Sequence, residues 1–199
     1  MEFYSIKRPA SGEFRNQGSK FFSYIEPIKN QEIYKHLLSN YKEDNPTACH
    51  VCSAYRLYNT DRVDEYASDD GEPNGSSGLP ILNQIRQHQC INLAVYVVRI
   101  FGGTKLGIPG LIHAYGEATE NVFENIKKNI WKPTSIITIK YGYEYTNLID
   151  QLIAQFNAII LKQDFTGTVT TMLKVDSVRK AELNSSLIEK SAGKLQINS

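Results

Sequence analysis

The chain has 199 residues, of which 41% are hydrophobic and 22% are charged, and its formal net charge is +1. This composition is typical of a packed globular protein and excludes a disordered chain, while the near-neutral charge leaves room only for a local basic patch. No apolar run reaches the about 18 residues of a membrane span, and Met1 to Ser5 do not resemble a signal peptide. We therefore expect a soluble cytoplasmic protein.

The first two thirds of the chain predict alternating strands and helices. Apolar periodicity and turn residues predict, in chain order, a strand at 19–26, a helix capped by Asn30, a strand at 48–56, a loop at 59–78, a helix near Pro80, a strand at 91–100 and a long helix from Pro109. The strand at 91–100 is almost continuously apolar, which indicates that both of its faces are covered.

A domain boundary is predicted at Ile130-Trp131-Lys132-Pro133, which gives domains 1–132 and 133–199. Beyond it the pattern restarts with a strand at 135–143, a helix at 145–157, strands at 158–163 and 167–175, a helix at 177–191 and a strand near 194–198. This strand-helix-strand-strand-helix-strand order predicts a ferredoxin-like fold, so the chain as a whole is expected to be of the α/β (α+β) class.

Two loops with fixed turn residues stand out from the rest of the sequence. The acidic loop contains Asp69-Asp70-Gly71-Glu72-Pro73 followed by Gly75-Ser76-Ser77-Gly78-Leu79-Pro80, and the glycine loop lies within Arg99 to Leu111. Loops tolerate most polar sequences, so such specific glycine and proline positions indicate backbone that is held in place for contact with a partner.

These motifs resemble those of the IMPACT family, whose bacterial members are the YigZ-type proteins. The acidic loop is similar to the family's Asp-Asp-Gly-Glu-Pro signature, the glycine loop to its Gly-Gly-x-x-Leu-Gly signature, and Ala48-Cys49-His50 to its histidine-bearing strand. The similarity runs from about Gly18 to Tyr115, with Pro109 in place of the usual Gly and His113 in place of the usual Arg or Lys. The resemblance implies a ribosomal-protein-like α/β N-terminal domain and a small C-terminal domain resembling the last domain of elongation factor G.

No complete metal site is expected from the residue types and their spacing. Cys49-His50-Val51-Cys52 lacks a second ligand pair for zinc, and the two cysteines of a strand at these positions point to opposite faces. Asp69, Asp70 and Glu72 lack the alternating ligand positions of a calcium loop, and a chain reversal with carboxylates capping backbone N–H groups fits them better. We expect no metal and no cofactor.

The glycine loop fits two interpretations equally well, an anion-binding turn and a tight packing turn. A glycine-rich turn before a helix offers N–H donors and a positive dipole end, and Arg99 and Lys105 would add charge. The spacing matches no known phosphate-binding motif, however, and Pro109 removes one donor. No catalytic residue is assigned, because a pair of Cys52 and His50 has no orienting third group.

We predict that the two loops lie around one groove at one edge of the sheet, where strand ends meet. Its binding residues would be His50, Asp69, Asp70, Glu72, Arg99, Gly102, Gly103 and Lys105.

The favoured function is that of a non-enzymatic, translation-associated regulator that binds RNA, the ribosome or a translation-associated protein. A basic patch would bind the RNA, and it would consist of Arg99, Lys105, Lys127, Lys128 and Lys132. The alternative is an enzyme acting on a small phosphorylated or peptide substrate in the groove, with His50 and Asp70 as its titratable groups.

Overall fold

The structure is a computed structural model that describes residues 2–59 and 62–198. Its contacts divide the chain into two compact units between Trp131 and Lys132, one residue before the predicted boundary. Among the described residues, no helix has the length and apolar character to cross a membrane.

The first unit is built on a five-stranded antiparallel sheet in the order β2-β3-β6-β4-β5. Its strands are β2 (Ala10–Asn16), β3 (Ser19–Pro27), β4 (His50–Asn59), β5 (Arg62–Ser68) and β6 (Leu93–Ile100). A separate two-stranded ribbon pairs β1 (Phe3–Ser5) with β7 (Asn129–Trp131). The inner strands β3, β6 and β4 are those that the sequence predicted.

Helices cover both faces of this sheet. The helix α1 (Gln31–Asp44) packs on one face, and α2 (Gly78–Gln87) and α3 (Gly107–Glu124) pack on the other. The Asn30 side chain accepts a hydrogen bond from the Ile33 N–H over 2.9 Å, as expected of the N-cap of α1. Side chains of β6 alternate between the two cores, with Val95 and Val97 facing α2 and α3, and Ala94 and Tyr96 facing α1.

The second unit has the ferredoxin-like arrangement. Its elements are β8 (Thr134–Tyr141), α4 (Thr146–Phe156), β9 (Ile159–Asp164), β10 (Val169–Asp176), α5 (Lys180–Lys190) and β11 (Gln196–Asn198). The sheet order is β11-β8-β10-β9 with all neighbours antiparallel, so the first and third strands lie at its centre. The predicted fold class, an α/β first part followed by a ferredoxin-like second part, is confirmed.

Two local predictions need correction. The segment 59–78 is not wholly a loop, because β5 occupies Arg62–Ser68 and pairs with β4. The apolar pattern predicts that the long helix runs through Leu111, Ile112, Tyr115, Ala118, Val122 and Ile126. Ile112 is 45% exposed and Ile126 follows the end of α3, whereas the other four residues are buried. The strands β1, β2 and β7 were not predicted at all.

Candidate functional site

The acidic loop starts with a tight turn directly after β5. Asp70 and Gly71 have positive φ angles of 45° and 91°, and the Glu72 N–H donates to the Asp69 carbonyl oxygen over 2.9 Å. Aspartate tolerates the left-handed region and glycine adopts it without steric cost. The Asp-Gly pair therefore reverses the chain, as the sequence predicted, and brings Glu72 back to the sheet.

Asp69 organises the start of α2. Its Oδ1 accepts hydrogen bonds from the N–H groups of Ser77 (3.0 Å) and Gly78 (2.8 Å) and from the Ser77 hydroxyl (2.7 Å), while its Oδ2 accepts one from the Gly75 N–H (2.8 Å). Burial alone would raise the pKa of Asp69, but these hydrogen bonds outweigh it and hold the pKa below its usual value. Asp69 is thus a capping residue.

Asp70 ties the loop to neighbouring elements. Its Oδ2 accepts a hydrogen bond from the Val51 N–H over 2.8 Å, and its Oδ1 forms an ion pair with Lys42 of α1. Both carboxylates of the Asp-Asp pair are therefore engaged in hydrogen bonds or an ion pair within the protein.

Glu72 lies at the centre of a buried polar network. Its Oε1 accepts hydrogen bonds from Arg99 Nη1 (2.6 Å) and from the Tyr115 hydroxyl (2.8 Å). The side chains of Arg99 and Glu72 are only 8% and 4% exposed, so the pair is almost completely removed from water. Arg99 Nε has no hydrogen-bond partner in the described structure, although it is buried. Such an unpaired donor in a native structure is unusual.

Cys52 and Tyr115 complete the network beneath Glu72. The Cys52 thiol lies 3.2 Å from the Tyr115 hydroxyl and 3.1 Å from the Asp69 carbonyl oxygen. Burial raises the pKa of Cys52 to about 12 and also raises the pKa of Tyr115. At neutral pH the Cys52 sulfur is therefore a protonated thiol, which is a poor nucleophile.

His50 is the cross-strand neighbour of Arg99, because β4 and β6 pair at these two residues. Its Nδ1 lies 2.7 Å from the Asp70 carbonyl oxygen, and its Nε2 lies 4.0 Å from Glu72 Oε2. A carbonyl oxygen only accepts hydrogen bonds, so Nδ1 carries the proton and Nε2 of the neutral ring is an acceptor.

The glycine loop connects β6 to α3, and its Gly102 makes a close backbone contact with Gly18. A Cβ on Gly102 would lie 1.9 Å from the Gly18 carbonyl carbon, so a side chain cannot fit there. Gly103 has a φ of 90° and has no atom within 4 Å of its ideal Cβ position. Pro109 is the third residue of α3, where its missing N–H costs no helical hydrogen bond. Gly102 thus supports the packing interpretation of the loop, while Lys105 is left exposed.

The two loops meet at a pocket of about 390 Å³, which we call the Arg99 pocket. It is lined by Cys49, His50, Glu72, Pro73, Arg99, Phe101, Lys105, Leu106, Gly107, Ile108 and Leu111. Its polar groups come from His50, Glu72 and Arg99 on the sheet side, and Lys105 adds a cation from the glycine loop. Apolar side chains make up most of the remaining lining.

Four of the eight predicted site residues line the Arg99 pocket, namely His50, Glu72, Arg99 and Lys105. Asp69, Asp70, Gly102 and Gly103 shape the loops around it instead, through the hydrogen bonds and backbone contacts described above.

Sequence reasoning missed Phe101 and Tyr115 as parts of this region. Phe101 stands between Arg99 and the glycine pair, so its place in the motif was the available signal. Tyr115 was predicted only as a buried helix residue, and nothing in the sequence indicated its hydrogen bond to Glu72.

The predicted basic patch is not one surface. Arg99 is buried and paired with Glu72, and Lys105 precedes α3. Lys127 follows the other end of that 18-residue helix, about 27 Å away by the rise of an α-helix, and lines a different cavity with Lys7 and Arg8. The prediction failed because residues far apart along a helix were grouped by charge alone.

Among residues 2–59 and 62–198, no cluster of three or more His, Cys, Asp or Glu side chains is arranged to hold a metal ion. Cys49 is exposed, whereas Cys52 and Cys90 are buried, so the three thiols do not share one environment.

The fold and the pocket define a class of two-unit α/β proteins with a pocket between an Asp-Asp-Gly-Glu-Pro loop and a glycine loop. Residues 17–123 match the family model of the Impact N-terminal domain, and residues 139–194 match a domain of unknown function (DUF1949). The chain belongs to the IMPACT family, as its motifs indicated.

Relatives over most of the chain support this assignment. An IMPACT family member of Haemophilus influenzae is 30% identical over 180 residues, which cover 90% of this chain and 87% of the relative. The IMPACT family member YigZ of Escherichia coli is 27% identical over 180 residues, covering 90% and 88% of the two chains. A crystal structure of a hypothetical protein superposes with a TM-score of 0.69 at 24% identity, covering 100% of this chain and 97% of that one. At 24% identity, this last match shows a shared fold.

Proposed function

We propose that this chain is a translation-associated protein that binds single-stranded RNA at the Arg99 pocket. The observation that supports it most is the combination, in one concave site, of the exposed cation of Lys105 and the Phe101 ring, which is 46% exposed. Proteins bind single strands by pairing cationic groups with aromatic side chains on which bases stack.

Binding fits the chemistry of the site better than catalysis does. The Cys52 thiol is buried and its pKa is raised to about 12, so it supplies no thiolate at neutral pH. Glu72 already accepts hydrogen bonds from Arg99 and Tyr115, which occupy one of its two oxygens. These groups hold one another in place.

The association with translation rests on what the IMPACT family resemblance implies. Membership of this family implies a ribosomal-protein-like α/β N-terminal domain and a C-terminal domain resembling the last domain of elongation factor G. RNA is favoured over a protein partner because a pocket of about 390 Å³ suits one inserted planar group, whereas protein partners meet over broad surfaces.

The test is the salt dependence of RNA binding by a Lys105→Ala variant. Lys105 is exposed at the pocket, so its removal should weaken binding of a single-stranded oligonucleotide at low salt and reduce the slope of log K against log salt by about 0.7, the single-strand value for one phosphate. Fluorescence anisotropy at several salt concentrations measures this slope.

Lys35→Ala is the matched control. Lys35 is an exposed lysine of α1, which covers the opposite face of the same sheet, so this change should leave the slope unaltered. An equal effect of both substitutions, or no binding of RNA by the unchanged protein, would refute the proposal.

A second candidate is an enzyme that acts on a small phosphorylated or peptide substrate in the same pocket. The observation in its favour is His50, whose Nδ1 is fixed by the Asp70 carbonyl oxygen so that Nε2 faces Glu72 as a base. Thermal shift assays separate the two functions, because stabilisation by nucleotides or phosphorylated metabolites without stabilisation by RNA would favour the enzyme.

A further inference from the structure

The polar groups of the Arg99 pocket form an ordered row. Glu72 Oε1 is used by Arg99 and Tyr115, while Oε2 lies 4.0 Å from His50 Nε2. The carboxylate thus stands between the imidazole and the guanidinium. Read from β4 toward β6, the row presents His50 Nε2, which is an acceptor in the neutral ring, then the acceptor Glu72 Oε2, and then the donors of Arg99.

The charge of this row is balanced, which decides what kind of group fits it. The Arg99 cation is neutralised by the Glu72 carboxylate at 2.6 Å, and both side chains are buried. A phosphate placed against Glu72 would meet a carboxylate in a site of low dielectric constant. A neutral group that both donates and accepts hydrogen bonds avoids that repulsion.

The walls of the Arg99 pocket favour a flat apolar body. Phe101, Pro73, Leu106, Ile108 and Leu111 line it, and Phe101 and Ile108 are 46% and 53% exposed. Exposed aromatic and aliphatic side chains beside a buried polar row are the arrangement by which proteins hold an unstacked base.

We propose that the Arg99 pocket binds a guanine base. The Watson–Crick edge of guanine carries two neighbouring donors, the N2 amino group and N1–H, followed by the O6 acceptor. This order is complementary to His50, Glu72 and Arg99, and arginine is a frequent donor to guanine O6. The inference rests on the proposed RNA-binding function and names the nucleotide that the pocket selects.

The experiment compares three RNA hexamers, UUUGUU, UUUAUU and UUUUUU, by isothermal titration calorimetry at one salt concentration. Guanosine monophosphate, adenosine monophosphate and inorganic phosphate are titrated in parallel to separate a base within RNA from a free nucleotide. We expect UUUGUU to bind about tenfold more tightly than the other two hexamers, since a matched base edge discriminates by about this factor. Inorganic phosphate should show no binding.

Two variants test the geometry. Phe101→Ala should weaken UUUGUU binding about tenfold through lost stacking. Phe165 of the second unit is 55% exposed, somewhat more than Phe101 at 46%, and Phe165→Ala should have no effect. Glu72→Gln places a donor where guanine requires an acceptor, so it should abolish the preference for UUUGUU. Its folding is checked by circular dichroism, and Phe101→Ala keeps the test valid if Glu72→Gln does not fold.

The outcomes separate the two proposals. Equal binding of all three hexamers, unaffected by Phe101→Ala, would overturn the guanine site and leave RNA binding intact. Binding of guanosine monophosphate without binding of any hexamer would support the guanine site and overturn the RNA function. Failure of every probe to bind would overturn both.

Discussion

At the scale of single residues, the two adjacent aspartates of the acidic loop have separate structural tasks. Asp69 accepts hydrogen bonds from the N–H groups at the start of α2. Asp70 accepts a hydrogen bond from the Val51 N–H and forms an ion pair with Lys42. The sequence predicted the chain reversal, because Asp-Gly before Glu-Pro permits few backbone conformations. It did not show that Glu72 alone of the three acids would line the pocket, since this depends on where the turn directs each side chain.

Asp69→Asn tests the capping role of Asp69. The amide replaces one acceptor oxygen by a donor and leaves a loop N–H without a partner, so we expect a loss of about 1–3 kcal/mol in the free energy of unfolding at pH 7. Urea denaturation measures this loss. Asp44→Asn, at an exposed position of α1, is the control and should change stability by less than about 0.5 kcal/mol.

The effect of Asp69→Asn should depend on pH in one direction. The folded state lowers the pKa of Asp69, so the carboxylate stabilises the fold above the unfolded pKa and loses this contribution as the pH falls through the folded pKa. The difference between wild type and variant should therefore shrink below about pH 4, near the pKa of an unfolded aspartate. A difference that stays constant down to pH 2 would show that Asp69 does not act through its charge.

At the scale of elements, the sequence predicted the inner strands of the first sheet and missed the strands at its edges. The strands β3, β4 and β6 have strong apolar patterns because helices cover them, whereas β2 and β5 are edge strands whose burial alternates or is partial. Edge strands often carry charged residues that discourage pairing with other chains, and this weakens their apolar signal. β5, with Arg62, Asp64 and Glu65, therefore looked like part of a loop.

Gly102→Ala tests the close contact that fixes the glycine loop against β3. The new Cβ would lie 1.9 Å from the Gly18 carbonyl carbon, so the backbone must move, and we expect a loss of about 1–3 kcal/mol in the free energy of unfolding. Gly116→Ala is the matched control within α3, since the nearest atom to its Cβ is Gln84 Nε2 at 3.9 Å. An alanine in a helix should stabilise the protein by about 0.5–1 kcal/mol. Equal effects of both substitutions in urea denaturation would contradict the contact.

At the scale of the whole molecule, the antiparallel order of the first sheet explains why distant motifs meet. The C-terminal ends of β5 and β6 and the N-terminal end of β4 lie at the same edge, which brings Glu72, Arg99 and His50 together. The sequence predicted this meeting from strand ends, but it could not give the pairing of Glu72 with Arg99. That pair depends on β4 and β6 being direct neighbours.

Mapping the RNA contact by nuclear magnetic resonance tests the central claim most directly. UUUGUU is titrated into ¹⁵N-labelled full-length protein, and the backbone amide shifts are followed. We predict that the largest changes fall around the Arg99 pocket, at residues 49–51, 71–73 and 99–111. Largest changes on the sheet of the second unit, or around Lys7, Arg8 and Lys127, would contradict the assignment of the Arg99 pocket as the binding site.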